Sequence, residues 1–164
     1  ARSARYALPA ALLLLTACAG DTSTEELPYV ERPVEQIYTE AANAIDREQY
    51  VKAAALFEEV ERQHPYSQWA VRAQLMTAYS MYQAQRYDDA ITKLDGFISL
   101  HPGNRNVAYA FYLKALCYYE QISDVRRDQS MTTEARAGLE EVIRRFPASD
   151  YARDAKLKLD LVRD

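Results

Sequence analysis

A proline recurs along this chain in a fixed setting, and that setting constrains the fold more than any other feature. The three occurrences are His64-Pro65-Tyr66-Ser67, His101-Pro102-Gly103-Asn104 and Phe146-Pro147-Ala148-Ser149. Two places after each proline stands Ser67, Asn104 or Ser149, residue types that cap helix N-termini. Eight places after each stands an alanine: Ala73, Ala110 and Ala155. Self-similarity of this kind is the signature of a repeat array. Between the prolines the apolar residues follow helical spacing. Tyr50, Ala53, Phe57 and Val60 share one face of the first unit's second helix; Tyr87, Ala90, Leu94 and Phe97, then Ala135, Leu139 and Val142, are their counterparts. The first helices carry a small residue at one place, Ala41, Ala78 and Ala115. Small residues fixed on both helices let two backbones approach closely, so the pattern predicts helix–turn–helix pairs stacked as a solenoid. With only 4 Gly and 6 Pro, and 49% hydrophobic residues, the composition suits packed helices, and neither disorder nor a Gly-rich β architecture.

The first two prolines are 37 residues apart and the next two 45. About eight extra residues are therefore expected between the helices of the third unit, near 123–133. A further helix should begin near Asp150 and run through Leu157, Leu159 and Leu161. It departs from the register, because Asp160 falls where the small residue belongs. No polar capping helix follows, although repeat arrays need one, so the array is expected to run past Asp164. The lack of an initiator Met likewise leads us to expect a trimmed N-terminus.

Helix pairs of about 34 residues with Ala, Phe and Pro at these offsets resemble the tetratricopeptide repeat. Ala41, Ala53, Phe57 and Pro65 match its spacing in the first unit. Ala78, Ala90, Leu94 and Pro102 do so in the second, and Ala115, Ala135, Leu139 and Pro147 in the third. The repeat's usual first-helix Trp is replaced by Ile37 and Gln74. The expected fold is all-α: a tetratricopeptide-like helix–turn–helix solenoid of about three repeats plus a further helix, over residues 33–164.

The first eighteen residues have a different character. Arg2 and Arg5 precede an apolar run from Tyr6 to Leu15, and Leu15-Thr16-Ala17-Cys18 follows. A positive start, a short apolar run and small residues before a cut site describe a secretory signal, here residues 1–17. The run is shorter than the roughly 20 residues that span a bilayer. Its last four residues resemble a bacterial lipobox, which implies acylation of Cys18 and a lipid anchor. Ala19 stands where an Asp would resemble an inner-membrane retention signal, so the outer membrane is the expected destination. Residues 18–32 are polar, with Pro28 just before their end, and read as the lipidated start of a flexible tether. From Cys18 onward the chain holds 18 basic and 24 acidic residues. That balance offers no basic face for phosphates, and nucleic-acid binding is not expected.

Lipobox, acidic tether and repeats together resemble the BamD (ComL/YfiO) family of outer-membrane β-barrel assembly lipoproteins. Asp124-Val125-Arg126-Arg127-Asp128-Gln129, Ala135 and the run from Arg144 to Ala152 resemble that family's third unit and its connecting loop. The resemblance covers Cys18 to Asp164 and implies two further repeats beyond it. It implies a periplasm-facing binding subunit that meets a BamA-like barrel protein, companion lipoproteins and the C-terminal targeting strands of unfolded outer-membrane proteins.

Stacked units leave a concave face lined by the first helices. Projecting the register places Tyr38, Arg72, Leu75, Tyr79, Tyr82, Tyr109, Tyr112 and Tyr119 toward it, including six of the 13 tyrosines. Tyr and Arg are favoured at interaction hot spots, so this face is expected to grip an extended, aromatic-ended peptide, with Arg72 available to its carboxylate. The plainer alternative is that several of these residues pack between neighbouring helices. His64 and His101 sit one unit apart with no acid or cysteine sharing their spacing, so they are expected to close helices and not to hold a metal. Cys117, in a helical core pattern, reads as a buried hydrophobe and not as a disulfide partner of Cys18. The charged stretch with Arg126, Arg127 and Asp128 is either a docking loop or a solvated connection. No catalytic triad, phosphate loop or carboxylate pair is evident, and neither enzymatic activity nor a cofactor is expected. Two other functions fit the same pattern: an envelope lipoprotein organising cell division or peptidoglycan, and an accessory to a hydrolase lying beyond Asp164.

Overall fold

The recurrent alanines are where the helices meet. In the computed structural model, which describes residues 31–122 and 129–163, Ala41, Ala53, Ala73, Ala78, Ala90, Ala110, Ala115, Ala135 and Ala155 are all fully buried. Among the described residues seven helices follow in chain order: α1 Val34–Asp46, α2 Tyr50–Gln63, α3 Gln68–Gln83, α4 Tyr87–Leu100, α5 Val107–Tyr119, α6 Gln129–Arg145 and α7 Asp150–Arg163. The chain is an all-α, tetratricopeptide-like solenoid in which α1–α2, α3–α4 and α5–α6 form pairs and α7 begins a further turn. Each helix packs on the next, and apolar clusters bridge the joints, the largest around Leu75, Leu94, Phe97 and Leu113. Burying a side chain such as Phe57 or Leu94 contributes about 2 kcal/mol. None of the described helices is both long enough and apolar enough to cross a membrane.

The turns between units are closed by the predicted residues in two cases of three. Ser67 Oγ accepts the Ala70 N–H at 3.1 Å and Ser149 Oγ accepts that of Ala152 at 3.1 Å, so both cap the helix that follows. Asn104 instead takes the Asn106 N–H at 2.8 Å, tightening the turn, and α5 starts only at Val107. His64 and His101 close α2 and α4 through backbone bonds to Val60 and Phe97. The His64 ring meets the Arg32 carbonyl at 2.8 Å, and the His101 ring meets Gln74 Oε1 at 3.0 Å.

The turns within the first two units are copies of each other. Glu48 and Gln85 adopt φ of 58° and 60°, a conformation that usually favours glycine. In the first, the Gln49 and Glu48 N–H groups reach back to Ala44 and Ile45; in the second, those of Arg86 and Gln85 reach back to Met81 and Tyr82. In the third unit the extra residues are not all loop, because Gln129 to Thr133 belong to α6, which is 17 residues long against 14 for α2 and α4. The rest of that stretch, with Arg126, Arg127 and Asp128, lies outside the described residues. So do Cys18, the residues read as a signal sequence and all but the end of those read as a tether. Gly138 marks a close approach of this pair, since a Cβ there would stand 2.9 Å from Ala115 Cβ.

The expected break of register in α7 is smaller than Asp160 suggested. Ala152, Ala155, Leu159 and Val162 are buried, so α7 packs as a first helix. Asp160 itself is exposed, where Ala78 and Ala115 are covered by the second helix of their own unit.

Candidate functional site

The array curves because its first helices touch one another while the backbones of its second helices stand apart. α1 meets α3, α3 meets α5 and α5 meets α7. Between α2 and α4 runs an ion pair, Lys93 Nζ to Glu58 at 2.7 Å, and Ala54 of α2 joins the apolar cluster that holds Ala90 and Leu94 of α4. The inner side is therefore a row of first helices joined by seams, and these helices carry the predicted face residues.

At the α1–α3 seam the Tyr38 ring meets Phe57 edge-on at 5.2 Å and Trp69 at 4.8 Å. The Arg72 guanidinium lies 5.8 Å from the Trp69 ring centre. Tyr38, Val71, Arg72, Leu75, Met76 and Phe97, with Asn104 and Asn106 from the next turn, line a cleft of about 200 Å³. Leu75 is only 7% exposed and forms part of its apolar wall, while Arg72 is exposed. The volume is smaller than the roughly 300 Å³ at which small-molecule pockets begin, and suits one side chain. An apolar wall beside a guanidinium and two amides fits a chain end that carries an apolar residue and a carboxylate. Burial holds the Tyr38 hydroxyl above its ordinary pKa, against the opposing pull of Arg72, so it remains a neutral donor.

At the α3–α5 seam the Tyr82 hydroxyl donates to the Glu120 carboxylate at 3.3 Å, and its ring meets Tyr87 edge-on at 5.8 Å. The Gln83 amide donates to the Tyr79 hydroxyl at 2.9 Å. At the α5–α7 seam Tyr112 stacks on Tyr151 at 5.4 Å and its hydroxyl donates to the Asp154 carboxylate. Tyr109 meets Tyr151 at 5.5 Å, and Lys158 Nζ lies 5.0 Å over the Tyr119 ring. Burial, joined at Tyr82 and Tyr112 by the adjacent carboxylates, pushes the hydroxyls of Tyr82, Tyr109 and Tyr112 well above the ordinary tyrosine range.

The eight predicted residues are thus divided among three seams. Tyr38, Arg72 and Leu75 share the cleft, whereas Tyr79, Tyr82, Tyr109, Tyr112 and Tyr119 have partners on neighbouring or own-helix residues. Sequence reading missed Trp69, Asn104 and Asn106 at the cleft and Tyr151 and Asp154 at the last seam. A signal existed for three of them: Trp69 and Tyr151 occupy one register place, and Asp154 shares that of Arg72 and Tyr109. Cys117 is a free thiol, fully buried, and burial pushes its pKa up to about 12. No group of His, Cys, Asp and Glu able to hold a metal occurs among the described residues.

Comparison with known proteins gives concordant results. A family model described as YfiO, outer membrane lipoprotein, matches residues 30–164. A curated relative from Caulobacter vibrioides, named outer membrane protein assembly factor BamD, is 52% identical over 90% of this chain and 48% of its own length. One of the same name from Rickettsia prowazekii is 41% identical over 96% of this chain and 62% of its own length. The chain therefore spans about half to three-fifths of these relatives. The crystal structure of PcrH from Pseudomonas aeruginosa shares the fold, with a TM-score of 0.54 and 18% identity over 87% of this chain and 100% of that one.

Proposed function

Given that this chain belongs to the YfiO family of outer membrane lipoproteins, whose relatives cited above are assembly factors named BamD, we propose that it is a non-catalytic binding subunit of the machinery that assembles outer membrane proteins. The observation that carries this reading is the 52% identity to such a factor across nearly the whole chain. A lipid on Cys18 holds it to the periplasmic face of the outer membrane. A BamA-like barrel protein, companion lipoproteins and unfolded outer-membrane proteins are its partners.

Within that role, the α1–α3 cleft receives a peptide end. The apolar wall of Tyr38, Leu75 and Phe97 takes an aromatic side chain, and Arg72 takes the carboxylate through charge-assisted hydrogen bonds. Tyrosines on the later seams hold the first helices in register, so the face stays curved without collapsing. The role is tested by recovering the tagged protein from detergent-solubilised membranes. Co-purification of a β-barrel partner with outer-membrane protein precursors is the expected result. Recovery with sedimented peptidoglycan, and without a barrel partner, would point to an envelope-organising role instead.

A further inference from the structure

The two edges of the solenoid carry opposite charge. Successive helices run back and forth, so the turns between units (62–68, 99–106 and 144–150) lie along one edge and the turns within units (46–49, 84–89 and 119–122) along the other. Among the described residues the inter-unit turns hold Arg62, Arg105, Arg144 and Arg145 against Asp150, and the entry of the chain on the same edge adds Arg32 with the exposed Glu31 and Glu35. Among the described residues the second edge holds Asp46, Glu48, Asp88, Asp89 and Glu120 against Arg47 and Arg86. Arg62 and Arg145 pair with Glu59 and Glu141. Arg105 is exposed, and the Arg144 side chain is 71% exposed, 3.6 Å from Glu141. Two large apolar residues stand out from the same edge: Tyr66 is fully exposed and Leu100 is 68% exposed. Val51, near the opposite edge, is exposed as well but follows Asp46 and Glu48.

The chain enters the solenoid at the basic edge, and it is held there. The Arg32 N–H donates to Gln63 Oε1 at 2.9 Å, its carbonyl meets the His64 ring at 2.8 Å, and its guanidinium pairs with Glu40 at 2.7 Å. Both backbone groups of one residue are thus gripped by the end of α2. Residues 19–31 alone separate Cys18 from this grip. Fully extended they reach at most about 50 Å, and as a random coil roughly 20 Å. The helices are themselves about 20 Å long, so an anchor at Cys18 attaches on the basic edge and, with the tether coiled, keeps that edge within reach of the membrane, the acidic edge being a helix length further from the point of attachment.

We propose that the edge formed by the inter-unit turns is a membrane-facing surface that docks on anionic phospholipid headgroups. Arg105 and Arg144 meet the phosphates, and Tyr66 and Leu100 reach the interfacial layer, where amphipathic aromatic rings are favoured. Repulsion of the acidic edge enforces the same orientation. The solenoid then stands edge-on, with its concave face open sideways to protein partners. The proposal rests on the reading of Cys18 as the anchor, and the test separates the two by attaching the lipid chemically.

The chain from Cys18 onward is coupled through that thiol to a maleimide lipid in phosphatidylcholine vesicles, with or without phosphatidylglycerol, that also carry a headgroup nitroxide. Trp69, the single tryptophan, sits in the first turn of α3 on the basic edge and reports the approach by quenching. Stronger quenching with phosphatidylglycerol is expected, and high salt should reverse it. The R105E/R144E double variant should dock roughly tenfold less. Moving the fluorophore to the acidic edge, as W69F/D88W, should abolish the lipid-dependent signal. Equal quenching at both edges, or quenching indifferent to phosphatidylglycerol, would overturn the proposal. So would a double variant that loses an acidic protein partner while its quenching stays unchanged, which would make the edge a protein-docking surface. Whether the cell acylates Cys18 is read separately, from the mass of the mature protein.

Discussion

At the α5–α7 seam, Tyr112 is stacked on Tyr151 and bonded to Asp154, and Lys158 covers Tyr119. At the α1–α3 seam, the register place of Asp154 is held by Arg72 and that of Tyr151 by Trp69, and a cleft of about 200 Å³ remains beside them. The two junctions are built from the same repeat, yet one is closed by complementary partners and the other is open. Both Tyr38 and Tyr112 meet an aromatic ring from the following first helix, and the seams differ in that α7 also brings Asp154 to accept the tyrosine hydroxyl, whereas α3 brings Arg72. Arg72 cannot accept a hydroxyl proton as Asp154 does, so it is left to face solvent or a carboxylate.

The largest expected effect tests the closed seam. Tyr109→Ala removes a ring packed between α3, α5 and α7 and should lower stability by about 3 kcal/mol, read from denaturant unfolding, with peptide affinity of the folded protein unchanged. A variant as stable as the parent would mean that this seam is not a packed joint. Gly138→Ala probes the same end of the molecule. Its methyl would meet Ala115 Cβ at 2.9 Å and the Ala115 backbone at 3.2 Å, forcing α5 and α6 apart at a cost of about 2 kcal/mol. Thermal unfolding would show this as a lowered midpoint, and an unchanged midpoint would show that the pair can yield. Tyr112→Phe is milder. It keeps the stack on Tyr151 but removes the hydroxyl donor to Asp154, leaving Lys158 at 3.8 Å, and should cost about 1 kcal/mol. The same substitution at Tyr38, whose hydroxyl lies in the field of Arg72 at the open seam, should cost less, so equal losses would erase the distinction between the seams.

Much of the fold was legible because close helix approach and sequence periodicity make the same demand. Ala41, Ala53, Ala78, Ala90, Ala115 and Ala135 had to be small wherever the pairs touch, and all are buried. The site was legible only in part. The register says which side of a helix a tyrosine leaves from, but not what the next unit places opposite it. Tyr112 is covered by residues 39 and 42 positions later, Tyr151 and Asp154, across an insertion that shifts the spacing. The exposed Asp160 disguised α7 as out of register and hid both partners. The third inter-unit turn resembled the others through Ser149, whereas Asn104, chosen by the same rule, bonds Asn106 and leaves α5 to start later. An Asn side chain can close a turn as readily as cap a helix, and composition does not decide between them.

The central claim, that the open seam receives a carboxylate-ended chain, is tested most directly by calorimetric titration of one short peptide ending in phenylalanine. The peptide is offered as the free acid and as the amide, to the parent chain and to Arg72→Ala. Arg72 is exposed, so its loss should change stability by less than about 0.5 kcal/mol. The account predicts that the parent binds the acid roughly tenfold more tightly than the amide, as one charge-assisted hydrogen-bonded pair would give, and that Arg72→Ala binds both alike. Equal affinity of the parent for acid and amide, or a preference for the acid that survives in Arg72→Ala, would contradict it.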